Sequence, residues 1–510
     1  MPLVQFRRDL WTEEDPAYAK SILAPIAPEY TTGEVLLGAS YRKLLLGRTD
    51  AEVDLEQIPT MTAQLAPPTV WPVILWPGAL SSPVRGGQAR THELPQLMPL
   101  VPRIAAYACV LGKRRSRWDP GTLLLSAIGS GTAGDDAVFT KKVSQLSASL
   151  SVDASDDLLA RFIEQHLAKL VGDLPTPDLS GHPRAPAWRS VDTSQSARPA
   201  TPAERLSEDV LSILDLKQRL TRRQWTVLLE SLLRLGLGTH VLWLCRLNQA
   251  VWACALRAVE TGEIPEPLEL ERSCWDGHQD RDPLLELGQD AMPFIKRLVQ
   301  DYARARIGLN LVLHSLTDGG APWGDGGLGL VGRTGDSPAK ALRSFLAHVA
   351  KHRDQVSTAL EKELGARSLR DAAGAVCDSR PRVLAADSGP TKNLSEFLRH
   401  TLGELRPRDP EMSSYDQAYV LYKKNKAQTN SPWPVQPGPA ALIQMVYSCC
   451  RNYSPFPASI DDFRTHLSAY GIYAPAGELQ RGRTGRDLER LGLVVDSPDA
   501  GGGRLLVNPF

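Results

Sequence analysis

Between Glu204 and Thr317 apolar residues return every three or four positions: Val210, Ile213, Leu214, Leu216 and Leu220, then Trp225, Leu228, Leu229, Leu232 and Leu235, then Val241, Leu244, Cys245 and Val251. That spacing lines them along one side of a helix of about 3.6 residues per turn. The segment therefore predicts an all-helical bundle or layered array. Leu158, Leu159, Phe162, Ile163, His166, Leu167 and Leu170 show the same period as one apolar stripe, behind capping groups in Asp153-Ala154-Ser155-Asp156. Helical spacing resumes at Leu342, Phe345, Leu346 and Val349 and continues towards Ala375. The chain reads as mainly α.

Breaker residues divide this pattern into units. With 510 residues the chain is too long for one ordinary core, so several domains are expected. Residues 1–172 read as a mixed, mostly helical N-terminal domain, interrupted by Pro67-Pro68-Thr69-Val70-Trp71-Pro72 and Trp76-Pro77-Gly78. Residues 173–203, rich in Pro and Ser, read as a linker or long surface loop. A second helical domain spans 204–405 and carries a glycine-rich loop at 318–337. Pro407, Pro410, Pro432 and Pro434 mark a second linker, 406–436, ahead of a closing unit at 437–510.

In that closing unit, Ala441 to Tyr447 sets Leu442, Ile443 and Val446 on one face of a first helix. A second helix is expected from Ser459, whose hydroxyl caps while Asp462 completes a short capping box. Phe463, Leu467 and Tyr470 form its buried stripe, and Gly471 suits the left-handed position that ends it. Thr484-Gly485-Arg486-Asp487 is a cap-like start for a third helix, followed by Leu488-Glu489-Arg490-Leu491-Gly492-Leu493-Val494-Val495. In that string two leucines face the core, a glycine turns the chain and a short strand begins. Asp496 to Gly503 makes a hairpin tip, and Arg504-Leu505-Leu506-Val507 returns.

These residues resemble the winged helix-turn-helix superfamily, over 437–510 alone. The resemblance implies three helices plus a β-hairpin wing, with the third helix as recognition helix. On that reading Arg481, Arg483, Arg486 and Arg490 face the major groove of double-stranded DNA, and Arg504 touches a flanking phosphate. Asp461, Asp462, Glu478, Asp487, Glu489, Asp496 and Asp499 bring the unit close to neutrality. A winged helix that docks protein therefore stands beside one that reads DNA.

Composition narrows the choice of partner. Lys+Arg and Asp+Glu balance at 58 each, so any phosphate binding must come from a local patch. The seven cysteines include no C-x-x-C pair and read as reduced core thiols of a cytoplasmic protein. Charges in Met1 to Asp9 occupy the place of an export signal's apolar stretch. Trp225 to Leu256 is broken by Glu230, Arg234 and Arg246, leaving less than the roughly 18 uncharged residues a membrane span needs. No membrane partner is expected.

Several strings tempt a chemical reading. Gly129-Ser130-Gly131-Thr132-Ala133-Gly134 matches G-x-G-x-x-G, but Asp135 and Asp136 would oppose a pyrophosphate, so a helix-helix connection is expected. Gly327-Leu328-Gly329-Leu330-Val331-Gly332-Arg333-Thr334 resembles a P-loop with arginine for lysine and no preceding strand, and reads as a loop. His348 and His352 stand one helical turn apart, with Val349 where a zinc protease has glutamate. Cys274-Trp275-Asp276-Gly277-His278-Gln279-Asp280 gathers potential ligands in a solvated loop. Lys113-Arg114-Arg115-Ser116-Arg117-Trp118, and Lys217, Arg219, Arg222 and Arg223 near Trp225, read as wet helix faces over a buried tryptophan. No catalytic constellation, cofactor site or metal site is assigned.

A long helical body ending in one such unit is similar in layout to accessory proteins of bacterial phage-defence and DNA-modification systems. That resemblance implies a non-catalytic, DNA-associated or scaffolding subunit of a bacterial nucleic-acid-handling, anti-phage assembly, working with other protein subunits. Two alternatives stay open: a DNA-binding transcriptional regulator, and an enzyme with a metal-dependent site around Cys274 to Asp282.

Overall fold

The computed structural model describes residues 37, 40, 41, 43, 44, 120–132, 135–171, 200–266, 283–318, 338–364, 366–378, 390–404, 416–425, 428, 430–496 and 503–510. Over these residues the protein is mostly helical. Helix α1 (Pro120–Gly131) and α2 (Asp136–Leu150) precede α3 (Leu158–Val171) and α4 (Pro202–Leu214). The centre is α5 (Arg222–Thr261), 40 residues and so about 60 Å long.

Local chemistry explains where α5 begins and ends. Thr221 and Gln224 form a reciprocal capping box, and Gly262 closes the last turn at φ 74°. Its middle is buried on every side, from Leu228 through Leu244. Among the described residues it is the one helix long and apolar enough to cross a membrane, yet 94% of its most apolar window is buried inside the protein. Helix α6 (Ala291–Asp318) lies along it, and α7 (Pro338–Lys351), α8 (Arg353–Leu364), α9 (Leu369–Asp378) and α10 (Pro390–Leu402) close the layer. Gly308 permits the close approach of α6 to α5, because a Cβ there would lie 2.2 Å from the Trp252 ring.

The early stripe is only partly a core face. Ala160 and Ile163 of α3 are buried, whereas Leu158 is 80% exposed and Leu159 and Phe162 also face outward. The exposed positions lie in the first two turns of α3, and the side chains of His166, Leu167 and Leu170 lie outside the described residues.

A buried arginine ties the chain's halves together. Arg234 of α5 sends Nη1 to Asp416 Oδ1 at 2.9 Å, Nη2 to the Gly403 carbonyl at 2.7 Å and Nε to the Thr401 carbonyl at 2.8 Å. Glu230 lies 3.2 Å away, one turn earlier on α5. Burial opposes the Arg234 charge, but Asp416 and Glu230 outweigh it and hold its pKa above the ordinary value.

The segment 406–436, expected as a linker, is ordered over its described residues. Residues 417–425 and 430–436 form an antiparallel arm: Tyr422 N donates to Pro434 O at 3.0 Å, Lys424 N to Pro432 O at 3.1 Å and Gln436 N to Val420 O at 2.8 Å. Proline lacks only a donor, and the carbonyls of Pro432 and Pro434 still accept. The arm in turn touches the body through bridges from Leu287 to Val435 and from Gly403 to Leu421.

The closing unit contains α11 (Pro439–Tyr453), α12 (Ile460–Ala469), α13 (Ala476–Gln480) and α14 (Arg483–Arg490). Strand β1 (Leu285–Glu286) pairs in parallel with β2 (Ile472–Tyr473), and β3 (Val494–Asp496) pairs antiparallel with β4 (Arg504–Leu506). Helix α11 is buried nearly all round, from Ala440 to Cys450 apart from Ile443, because it packs against α5 and α4 as well as α12. A one-faced first helix was expected. The additional burial comes from the helical body, with which this unit shares one continuous apolar core.

Candidate nucleic-acid interface

Helix α14 is positioned by its own caps. Gly482 is its N-cap residue and makes no side-chain cap bond, while Thr484, expected to cap, is buried two residues further on, within the first turn. Glu478 supplies the acceptor: its Oε1 takes the Thr484 N–H and hydroxyl, each at 3.0 Å. At the other end Gly492 adopts φ 68°, Gly492 N donates to Glu489 O and Leu493 N donates to Leu488 O, the two bonds of a Schellman ending. Leu488 and Leu493 are buried, whereas Leu491, read as a core residue, is 36% exposed. The left-handed turn at Gly492 carries the chain inward again only at Leu493.

The second helix follows its sequence signals closely. The Ser459 hydroxyl accepts the Asp462 N–H at 3.1 Å, and Asp462 accepts the Ser459 N–H at 2.7 Å. Phe463, Leu467 and Tyr470 are buried, and Gly471 stands at φ 73°. A bridge joins Ser459 to Leu505, so β4 lies against the entry of α12.

The five arginines singled out from sequence divide into two groups. Arg481, Arg483, Arg486 and Arg490 are exposed on α14 and its N-terminal approach. Arg486 Nη1 donates to the Arg481 carbonyl at 3.2 Å, and Arg490 Nη1 stands 3.5 Å from Asp487 with its side chain 82% exposed. Arg483 places Cζ 5.2 Å from the Tyr422 ring centre, bringing α14 against the arm. Arg504 differs. Its guanidinium reaches Glu489 at 2.5 Å, Asp496 at 3.1 Å and the Gln480 carbonyl at 3.3 Å, tying the hairpin to α14.

Elsewhere in the closing unit α12 is locked to α4. Asp209 Oδ2, fully buried, accepts the Tyr470 hydroxyl at 2.7 Å, and His466 Nε2 lies 3.1 Å from the same oxygen, off the line of its ring N–H. Asn452 donates to Asp209 Oδ1 at 3.4 Å. Burial and the adjacent carboxylate push the Tyr470 hydroxyl pKa well up, so it remains a donor. Next to this joint, a cleft of about 300 Å³ is lined by Arg205, Glu208, Asn452, Tyr453, Thr465 and His466. Nothing in the sequence pattern brought these residues together, since Asp209 lies 261 positions before Tyr470.

The other candidate strings find structural places. Gly129 and Gly131 end α1, the Thr132 hydroxyl donates to the Gly129 carbonyl, and a Cβ at Gly131 would lie 2.4 Å from Ser207. This is the expected helix-helix connection. Lys217 pairs with Asp153 at 2.7 Å, Arg222 is buried against Asp156 and the Ser149 and Ser151 carbonyls, and Trp225 donates to the Ile213 carbonyl. That basic cluster is thus partly internal, where a wholly wet face was expected, because α2 ends against it. The Lys217 ammonium and the Ser155 hydroxyl hold Asp153 well below the usual carboxylate range. His348 and His352 have ring centres 4.6 Å apart, and His352 Nδ1 contacts Gln355 at 3.0 Å. Among the described residues no three His, Cys, Asp or Glu side chains gather as metal ligands. Burial pushes the Cys450 thiol up to about 11 and that of Cys449 higher still, so neither is a thiolate at neutral pH. The strings at 113–118, 274–282 and 327–334 lie outside the described residues.

No protein-family model matches the chain, and no curated protein matches it.

Proposed function

We propose that residues 437–510 are a winged helix that places α14 on double-stranded DNA, and that the chain is a non-catalytic subunit of a nucleic-acid-handling assembly. The observation that carries this reading is how the unit disposes of its acids. Glu489 and Asp496 are taken up by Arg504, and Glu478 caps the start of α14. Those three acids are thus engaged within the unit, although Glu489 and Asp496 stay exposed to solvent, as do Arg481, Arg486 and Arg490. An exposed arginine face on a short helix meets the need of a phosphate-lined groove. The order of helices and hairpin, and the bridge from Ser459 to Leu505, support the winged-helix reading. Two departures accompany it: α13 is inserted before α14, and β2 pairs with β1 of the body.

The layout resemblance to accessory proteins of phage-defence systems supports reading it as a subunit that works with other protein chains. Fluorescence anisotropy with a mixed-sequence duplex at two salt concentrations tests the DNA contact. The native chain binds, more weakly at higher salt, and Arg486→Glu with Arg490→Glu lowers affinity by at least about tenfold. Equal affinity of native and double variant would overturn the reading in favour of a protein-docking surface.

A further inference from the structure

We infer that the phosphate contacts flanking α14 come from the arm, residues 417–425 and 430–436, and not from the β3–β4 hairpin, so that the nucleic-acid surface is built from two elements far apart in role. The inference rests on the duplex-binding reading above. The hairpin has little to offer a phosphate. Arg504 is the one basic residue between 491 and 510, and it is committed to Glu489 and Asp496. Asp496, 84% exposed even while paired with Arg504, adds negative charge there.

The arm has the opposite charge pattern. From Gln417 to Ile460 the sequence contains no Asp or Glu, and Lys423 and Lys424 stand on the described ladder. The carboxylates at its root are Asp416, buried against Arg234, Glu404, whose N–H donates to the Leu421 carbonyl, and exposed Asp290, whose Oδ1 accepts the Trp433 N–H at 2.9 Å. Tyr422 meets the first residue of α14 through Arg483, so the arm stands at that helix's N-terminal end. Lys424 follows two residues later, about 7 Å along an extended chain, and is exposed. Lys423 Nζ sits 5.9 Å from the Trp433 ring centre. Two of the arm's three aromatic rings, Tyr422 and Trp433, thus carry a cation across a face. Such a surface presents positive charge rather than bare stacking platforms, and the partner it fits is the phosphate backbone of a duplex rather than the splayed bases of a single strand.

The test is a salt series of duplex binding by the full chain, with thermal unfolding recorded for every variant. Lys423→Gln with Lys424→Gln lowers the slope of log affinity against log salt by about 0.9 for each lysine removed. Lys424→Gln alone, which leaves the Trp433 contact in place, lowers it by about half as much as the pair. Arg504→Gln leaves the slope unchanged. An unchanged slope in the folded lysine variants, or a slope lowered by Arg504→Gln, overturns this inference while the α14 reading survives on its own variant. Tighter binding of single strands than of duplex overturns the assigned partner. Failure of the native chain to bind any duplex overturns both.

Discussion

The Tyr470 hydroxyl donates a 2.7 Å hydrogen bond to Asp209 Oδ2, a carboxylate of α4 with no exposure to solvent. Through that bond, and the His466 and Asn452 contacts beside it, the helix bearing the capping box is fastened to the helical body. The helix whose entry meets β4 of the hairpin is thereby braced on the body.

Removing the carboxylate should loosen that brace. Asp209→Ala leaves the Tyr470 hydroxyl buried without its acceptor, and a loss of about 3 kcal/mol is expected, the scale of a hydrogen bond to a charged group. Urea unfolding followed by tryptophan fluorescence measures it. A loss below about 0.5 kcal/mol would show that the joint contributes little.

Asp416→Asn tests the arm's anchor. The change leaves the Arg234 guanidinium, 1% exposed, with half of its compensating charge. A cost of about 3 kcal/mol is expected for breaking a buried pair in this way. Hydrogen exchange should speed up first at Val420, Tyr422 and Gln436, whose amides are bonded within the arm or to the body. Unchanged exchange there would separate the arm's order from Arg234.

His240 should make the protein acid-sensitive. It is buried in α5, stacks on Trp243 with ring centres 5.8 Å apart, and burial lowers its pKa to about 4. Its unfolded value is near 6.5, so between those two values the unfolded chain binds the extra proton. Stability is therefore lost as pH falls from about 6.5 towards 4, by about 3 kcal/mol from this group alone. His240→Leu should flatten that part of the stability curve relative to the native chain. Parallel curves for the two proteins would sink the prediction.

Gly471→Ala should separate the closing unit from β1. The residue has φ 73°, and an added Cβ would lie 2.5 Å from Leu284. Strain and collision together are expected to cost more than about 1 kcal/mol. A melting temperature equal to the native one would contradict the tight approach.

The candidate site was legible where its signals are local. Ser459 with Asp462, Gly471 and Gly492 each act through backbone groups within a few residues, so their roles could be read in order along the chain. The exposed positions of Arg486 and Arg490 belong to the same local logic. Leu491 was misjudged because the period runs past the helix end, and the pairing of Arg504 with Glu489 and Asp496 was not legible because the folded hairpin brings them together.

What the sequence determined by itself, then, is the helical character of the chain, the Ser459–Asp462 capping box and the glycine turns at Gly471 and Gly492, because turn-by-turn hydrogen bonding and apolar period are short-range properties. Tertiary structure alone decided that the proline-rich segment is an arm, that α11 is enclosed by the body, and that Asp209 meets Tyr470. Those contacts join residues hundreds of positions apart. They are selected by the burial of complementary charges and apolar faces, which no local pattern records.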